Sequence, residues 1–527
     1  MSFGESDVED AAIEWLKDLG YAYTPGPILA PDGASPERAS YASVILKGRL
    51  RSALARINPH LPGDALDEVA RTVLRLDSPA VEENNLAFHR LLAKGVEVQV
   101  SREDGVRGDI GCLVDFDSPD KNDWLVVNQF TVIDGKQNKR PDVIVFLNGL
   151  PVAVLELKNP QAEQATLASA WNQLQTYKNK IPALFNTNEV LVISDGSKAR
   201  VGSLTAGFSR FGPWRTVDGA EPDAGQPELQ VLLEGLFEKR RFLEYLKHFV
   251  IWETDDGYIK KIAGYHQFHA VRRAVQATVA ASRPDGDRRI GVVWHTQGSG
   301  KSVSMAFFAG KIIVEPAMEN PTLVIVTDRN DLDDQLFGQF CAAKDLIPLP
   351  EQAESREHLR ELLSVPSGGV IFTTMQKFGL SPEEMTLGKS FPVLSDRRNI
   401  VVIADEAHRT QYQFGRHVDS ATGRVSVGLA RNLRDALPRA SFIGFTGTPI
   451  EAEDRSTREV FGEDVHTYTM SEAVEDGAVV PIHYEARLAK IGLKDDDLPS
   501  IDEEFEEVTE GEEETARHKL KTKWARL

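Results

Sequence analysis

The stretch GVVWHTQGSGKS, from Gly291 to Ser302, runs from an apolar, strand-like segment into a glycine-rich turn and on into a helical pattern over Val303 to Ile313. Gly298 and Gly300 let successive backbone N–H groups point into one concavity at a helix N-terminus, where they and the helix dipole favour phosphate. In such a loop Thr296, Gly298, Ser299 and Gly300 surround the phosphates, Lys301 reaches the β- and γ-phosphates, and Ser302 holds the accompanying Mg2+. The pattern usually opens with Gly or Ala where this chain has His295, so a fortuitous glycine-rich turn is the plain alternative. A second strand-like run, Asn399 to Ala404, ends in Asp405-Glu406-Ala407-His408. That sets two acids at the carboxyl edge of a parallel sheet, where ligands of α/β proteins bind. Asp405 suits a magnesium ligand and Glu406 a base that orients water. A lone DEAH could be a helix-start turn with dipole-favoured acids, but beside a phosphate loop it points to ATP hydrolysis.

A second constellation lies upstream. Arg140-Pro141-Asp142 opens one apolar run, Val143 to Leu147, and Glu156-Leu157-Lys158 closes another, with Asn148-Gly149, a strong hairpin signal, between them. If those two residues are the turn, Leu147 faces Leu150, and Asp142 falls opposite Leu155 and beside Glu156. Alternation then puts Glu156 and Lys158 on one face. Two carboxylates and a lysine around a hard cation can bind Mg2+, lower the pKa of a bound water and stabilise a pentacovalent phosphate. Asp142 and Glu156 are the candidate metal ligands, and a surface salt-bridge cluster is the alternative. Gln173 and Tyr177, on a helical stretch over Glu163 to Lys180, share a face by their i, i+4 spacing. A polar helix face is the plain reading of that pair.

These groups need scaffolds. A chain of 527 residues exceeds one core, and a prior of roughly 150 residues per domain suggests three or four. Residues 42–100 read as helical and are followed by short β-rich runs and a strand over Val190 to Ser194. The Gly/Pro-rich stretch Ala206 to Pro227 marks a boundary, and Glu228 to Phe249 reads as a connecting helical segment. Beyond Ile259 the pattern repeats strand, turn and helix, with apolar runs at Ile290–His295, Thr322–Thr327, Val370–Thr374, Ile400–Ala404 and Ser441–Thr446. This is the signature of a parallel sheet covered on both faces. The fold class is multidomain α/β, with expected divisions at 1–205, 206–258, 259–466 and 467–527.

Composition narrows the setting. No apolar run approaches the ~20 residues of a membrane helix, and the N-terminus lacks an export pattern. Cys112 and Cys341 stand alone, which excludes a disulfide framework and a Cys/His zinc site, so a cytoplasmic protein is expected. More than half of the net charge of −20 lies in the 12 acidic residues between Asp495 and Glu514, a pattern typical of solvated segments, so charge does not exclude nucleic acid.

TQGSGKS, Thr327-Asp328-Arg329, DEAH and Thr446-Gly447-Thr448-Pro449 resemble motifs I, Ia, II and III of the superfamily-two helicases and translocases. That resemblance places His408 with the nucleotide-binding set and Thr446 and Thr448 where hydrolysis couples to movement on nucleic acid. Thr373-Thr374-Met375-Gln376 falls where a strand-contacting motif lies, and Gln267 where a glutamine reads adenine, an ordinary exposed glutamine being equally open. Asp142, Glu156 and Lys158 resemble the PD-(D/E)xK nucleases, and Gln173 with Tyr177 their RecB-like branch, where the pair supports the active site. Over residues 40–490 the combination looks like the restriction (motor and endonuclease) subunit of type I restriction-modification enzymes. The family implies methyltransferase and specificity partners, ATP-driven movement of double-stranded DNA, and Mg2+-dependent cleavage at a distance from the recognition site. The second RecA-like lobe, with its arginine finger, is expected to be truncated at Leu527, leaving a chain that binds ATP and DNA without translocating. The competing readings are a DEAH remodelling ATPase, which would need a damaged carboxylate site, and an autonomous restriction enzyme, which would need its own recognition module.

Overall fold

A computed structural model describes residues 4–102, 105–159, 166–220, 225–327, 330–380, 391–407, 429–448 and 460–480, with short pieces at 384, 416–418, 425–427 and 458. The first of two large sheets has six strands in the order Ala22–Tyr23, Trp124–Asn128, Val143–Leu147, Leu150–Leu157, Val190–Ser194 and Ala199–Gly202. Its centre is the expected hairpin. Asn148 and Gly149 both take positive φ, 54° and 79°, as a type I′ turn demands. Leu147 pairs with Leu150, but the register then shifts, placing Val145 opposite Ala153 and Val143 opposite Leu155. Val152 is the extra residue of this bulge, directly after Pro151, which has no N–H to give the ladder. Asp142 therefore falls opposite Glu156, correcting the expected pairing with Leu155 by one step.

The bulge also decides which face Glu156 occupies. Leu150, Val152 and Ala153 belong to the core that includes Leu16, Leu50 and Leu54 of the N-terminal helices. Past the bulge, Val154 joins Ala170, Leu174 and Tyr177 of helix Leu167–Lys180. Because side chains alternate along a strand, one inserted residue moves every later side chain to the other face, and Glu156 follows Val154 toward that helix. Thr166 starts the helix by accepting from Ser169 N at 3.1 Å, and Pro182 limits its end.

The second sheet has seven parallel strands, in the order Glu351–Gln352, Val370–Thr374, Thr322–Thr327, Ile400–Ala404, Ser441–Thr446, Arg289–His295 and Asp464–Tyr468. Its apolar runs are continuous because both faces are covered. Leu323 and Ile325 pack with Phe307 and Phe308 of helix Lys301–Ile313, while Val324 and Val326 pack with Leu359 and Leu437 on the other side. The edge strand Asp464–Tyr468 is an addition that no apolar run announced.

Between the sheets, helices Glu228–Leu236 and Lys239–His248 fill the expected connecting segment, followed by a hairpin of Val250–Glu253 and Ile259–Ile262. Residues 42–100 divide into helices Lys47–Ile57, Gly63–Leu74 and Val81–Lys94, and then a strand from Val96. Lys260 of the hairpin is fully buried, and its Nζ donates to Glu189 Oε2 (2.7 Å), Asn85 Oδ1 (2.9 Å) and Asn188 O (3.0 Å). Burial opposes the charge on Glu189, but Lys260 and His89 outweigh it and hold the carboxyl below its usual range. The described residues up to Val479 form one compact unit. The acidic run Asp495–Glu514 lies outside the described residues.

Candidate active sites

The hairpin site is assembled from two strands and one helix. Asp142 Oδ2 accepts from Leu157 N at 2.8 Å, which fixes it across from Glu156. Glu156 is 1% exposed, and Lys158 Nζ donates to its Oε1 at 2.5 Å. A buried carboxylate of this kind demands a paired cation. From the facing helix, the Tyr177 hydroxyl donates to Arg140 O at 3.4 Å and lies close enough to Glu156 and Gln173 to interact with both electrostatically. Burial, and then the charges of Glu156 and Asp142, push the phenol well above its ordinary value, while Gln173 draws it down. All five candidates, Asp142, Glu156, Lys158, Gln173 and Tyr177, are thus gathered at one place. Among the described residues no group of three or more His, Cys, Asp or Glu side chains is arranged to hold a metal ion. The donor set is two hard carboxylates beside an ammonium, which fits a cation such as Mg2+ that keeps several of its waters.

The second site lies at the carboxyl edge of the parallel sheet. Gly298 and Gly300 adopt φ of 83° and 84°, the left-handed conformation the loop needs, and Gly300 leads into helix Lys301–Ile313. Lys301 Nζ donates to Glu406 Oε1 at 2.9 Å. Glu406 itself has φ of +47°, a strained conformation for a non-glycine residue, and its N–H donates to Asp405 Oδ1 at 2.9 Å. A side chain at Gly447 would meet Lys301 Nζ at 3.1 Å, so the third motif packs against the phosphate loop. Thr446 Oγ1 accepts from Thr448 N at 3.1 Å, closing that turn. Ser302 occupies the first turn of the loop helix, and Asp405 caps the Ile400–Ala404 strand. Hydroxyl and carboxylate are the oxygen donors that Mg2+ takes. His408, Asp328 and Arg329 lie outside the described residues.

Gln267 starts helix Tyr265–Ala281 and is buried rather than exposed. Its Oε1 accepts from Gly264 N (2.9 Å) and its Nε2 donates to Gly300 O (3.0 Å), so its carboxamide grips the loop. Sequence reasoning missed the aromatic and histidine cluster behind the loop. His266 stacks on Tyr468 with centroids 4.0 Å apart, and His295 Nε2 lies 3.1 Å from His466 Nδ1. Burial pushes His266 down to about 4 and His466 to about 3, and holds His295 well below its ordinary value. The unusual His295 at the loop's first position was the available signal, but its partners lie about 30 residues before it and 170 after it in sequence.

A parallel sheet carrying a phosphate loop and a DEAH turn at its carboxyl edge defines a helicase-like ATPase, and residues 266–518 match the SWI2/SNF2 ATPase family. Residues 2–210 match the family described as type I restriction enzyme R protein N terminus. Along nearly its whole length the chain is similar to proteins described as type I restriction enzyme endonuclease subunits. It is 47% identical over 502 residues to the type I restriction enzyme HindI endonuclease subunit of Haemophilus influenzae, covering 94% of this chain and 47% of that protein. It is 39% identical over 526 residues to the MjaIXP protein of Methanocaldococcus jannaschii, covering 95% and 48% respectively. The chain spans about half the length of these curated relatives. Among solved structures, the ATP-dependent Type ISP restriction-modification enzyme LlaBIII bound to DNA is 12% identical, over 63% of this chain and 21% of that chain, with a TM-score of 0.28.

Proposed function

We propose that this chain carries the nuclease site and the first motor lobe of a type I restriction-modification endonuclease subunit. ATP hydrolysis moves double-stranded DNA, and the hairpin site cuts unmodified DNA at a distance from the recognition sequence. In this reading residues 1–205 are a PD-(D/E)xK (RecB-like) endonuclease domain, 206–258 a linker with its connecting helix, and 259–466 the first RecA-like domain. Residues 467–527 lead toward a second lobe. The carrying observation is that two separate sets of residues suited to phosphate chemistry converge in one chain. Asp142, Glu156, Lys158, Gln173 and Tyr177 form one, and Lys301, Glu406, Asp405 and Gly447 the other.

In the hairpin site Asp142 and Glu156 would hold Mg2+, while Tyr177 and Gln173 keep Glu156 oriented and Lys158 stabilises negative charge growing on the phosphate. In the motor, the loop amides and Lys301 bind the nucleotide phosphates, Ser302 and Asp405 would hold Mg2+, and Glu406 orients the attacking water. Thr446 and Thr448 would relay the phosphate state, and Gln267, whose carboxamide holds the loop at Gly300, would read adenine. When bound, the metal supplies charge neutralisation and a water of lowered pKa. Methyltransferase and specificity subunits are the partners this role requires, in the cytoplasm. No helix among the described residues is long and apolar enough to cross a membrane.

The test is cleavage of unmodified circular DNA by the assembled system with ATP and Mg2+. Glu156→Ala should abolish cutting and spare ATP turnover, whereas Lys301→Ala should abolish both. Cutting by the Lys301→Ala assembly would overturn the reading.

A further inference from the structure

The phosphate loop is held from behind by backbone contacts that no sequence motif accounts for. Thr296 N donates to Tyr468 O at 3.0 Å. His266 Nε2 lies 3.2 Å from Ser299 O, and Gln267 Nε2 donates to Gly300 O at 3.0 Å. Three of the loop's residues are therefore positioned by two elements, the start of helix Tyr265–Ala281 and the end of strand Asp464–Tyr468. The His266 ring stacked on Tyr468, with planes only 6° apart, joins the two elements to each other.

One carboxylate ties both elements down. Asp476 Oδ2 accepts from Tyr265 OH at 3.0 Å and from Tyr468 OH at 2.8 Å, and its Oδ1 accepts from Arg215 Nε at 2.8 Å. Its side chain is only 4% exposed. Asp476 follows a short helix, Met470–Glu475, whose start is fixed by a reciprocal Thr469–Glu472 capping box. Three residues further on, Val479 approaches the loop so closely that a side chain on Gly298 would meet its Cγ1 at 3.0 Å. Arg215 is meanwhile braced by Glu228 Oε1 at 2.9 Å, at the start of the connecting helices.

We propose that Asp476 is a positioning residue for nucleotide binding, setting the conformation of the 296–300 loop through Tyr265 and Tyr468 and linking that loop to the segment leaving the first lobe. Two hydroxyls and a guanidinium converge on one buried carboxylate, a geometry in which each charge-assisted hydrogen bond is short and directional. Loss of the charge loosens both tyrosines together, and with them the Thr296 and Ser299 contacts. The inference rests on the ATP-binding reading of the loop.

The experiment uses the 527-residue chain and a fluorescent ATP analogue with Mg2+, together with hydrogen exchange of residues 296–300 without nucleotide. Asp476→Asn, nearly isosteric, should weaken analogue binding on the order of tenfold and speed exchange of the loop amides. Tyr468→Phe and Tyr265→Phe should each show part of the effect, and neither should add fully to Asp476→Asn, because the three share one interaction. Wild-type affinity and loop exchange in Asp476→Asn would overturn the proposal, as would lowered thermal stability with unchanged affinity measured well below the melting temperature. If Asp476→Asn fails to fold, Tyr468→Phe, which removes one hydroxyl, decides by the same two readouts. Lys301→Ala separates the two levels. If it binds the analogue normally, the ATP reading has failed; if it loses binding while Asp476→Asn binds normally, only the positioning role has.

Discussion

Lys301 Nζ and Glu406 Oε1 form a hydrogen-bonded ion pair 2.9 Å long, so the loop cation and the DEAH base neutralise each other at the sheet edge. A nucleotide that engages Lys301 must open this pair, releasing Glu406 to face water. Glu406→Gln weakens the pair without removing any phosphate contact. It should bind a fluorescent ATP analogue as tightly as wild type or tighter, while phosphate release falls about 10²-fold or more. Lys301→Ala should lose the binding itself. Wild-type turnover by Glu406→Gln would remove Glu406 from the chemistry.

Asp405 plays a different part, because its Oδ1 accepts from the Glu406 N–H and so also shapes the turn. Asp405→Ala should keep nucleotide affinity within a few-fold in the absence of Mg2+ and lose the gain in affinity that Mg2+ confers. Isothermal titration with and without Mg2+ measures both, and an Mg2+ effect that survives the substitution would exclude Asp405 as a ligand.

Stability should depend sharply on the buried Lys260–Glu189 pair. Both side chains are fully buried and Lys260 makes three hydrogen bonds, so Lys260→Ala leaves the Glu189 charge buried with His89, 3.0 Å away, as its remaining partner. The expected cost is about 3–5 kcal/mol in urea unfolding. A loss below about 1 kcal/mol would mean that water or rearrangement compensates there.

Acid should destabilise the motor half through its histidines. Burial lowers His266 and His269 to about 4, and His466 to about 3, from an ordinary 6.5. Asp476 and Glu472 favour a charge on His266, whereas Arg273 opposes one on His466 and Lys301 one on His295. Because the folded values are depressed, the unfolded chain binds more protons below pH 6.5. Stability is therefore complete above that pH and is lost as pH falls toward the folded values, by up to about 1.4 kcal/mol per group per pH unit. Urea midpoints at pH 7.5 and pH 5 should differ accordingly, the difference shrinking in His466→Asn, which keeps a polar atom toward His295. An unchanged difference in that variant would mean that other groups dominate.

The motor strands were legible because strands of a parallel sheet buried on both faces must be continuously apolar. Thr322–Thr327, Val370–Thr374, Ile400–Ala404 and Ser441–Thr446 lie where their apolar runs put them. Strand Asp464–Tyr468 was not legible, since DVHTY at a sheet edge is half-exposed and its histidine and tyrosine serve the cluster behind the loop. The hairpin turn was readable from Asn148-Gly149, but the bulge was not. Nothing local in Leu150-Pro151-Val152-Ala153 fixes which of two apolar residues is skipped; Pro151 supplies only a reason for one. The decision is tertiary, with Val152 O taken by Glu189 N at 2.7 Å and Val154 needed against the Gln173–Tyr177 helix. The exposed-glutamine alternative for Gln267 could not be dismissed from sequence for the same kind of reason, because its Gly300 partner lies 33 residues away.

The bulge yields the last prediction, which separates a metal site from a salt-bridge cluster at the hairpin. Two carboxylates facing each other across a strand pair repel, and here Lys158 and the Leu157 amide offset them. In a cluster kept for stability, removing one acid would cost folding stability, up to about 3–5 kcal/mol for the buried Glu156, and leave cutting untouched. In a metal site it would remove half of the carboxylate ligands. Asp142→Ala and Glu156→Ala should therefore abolish DNA cutting by the assembled system while ATP turnover persists. Lys158→Ala should also lose cutting yet retain metal affinity, because an ammonium stabilises charge but ligates nothing. Tyr177→Phe removes the hydroxyl beside Glu156 and should slow cutting partially, on the order of tenfold, leaving Asp142 in place. Cleavage that survives in Glu156→Ala would leave the hairpin as structure alone.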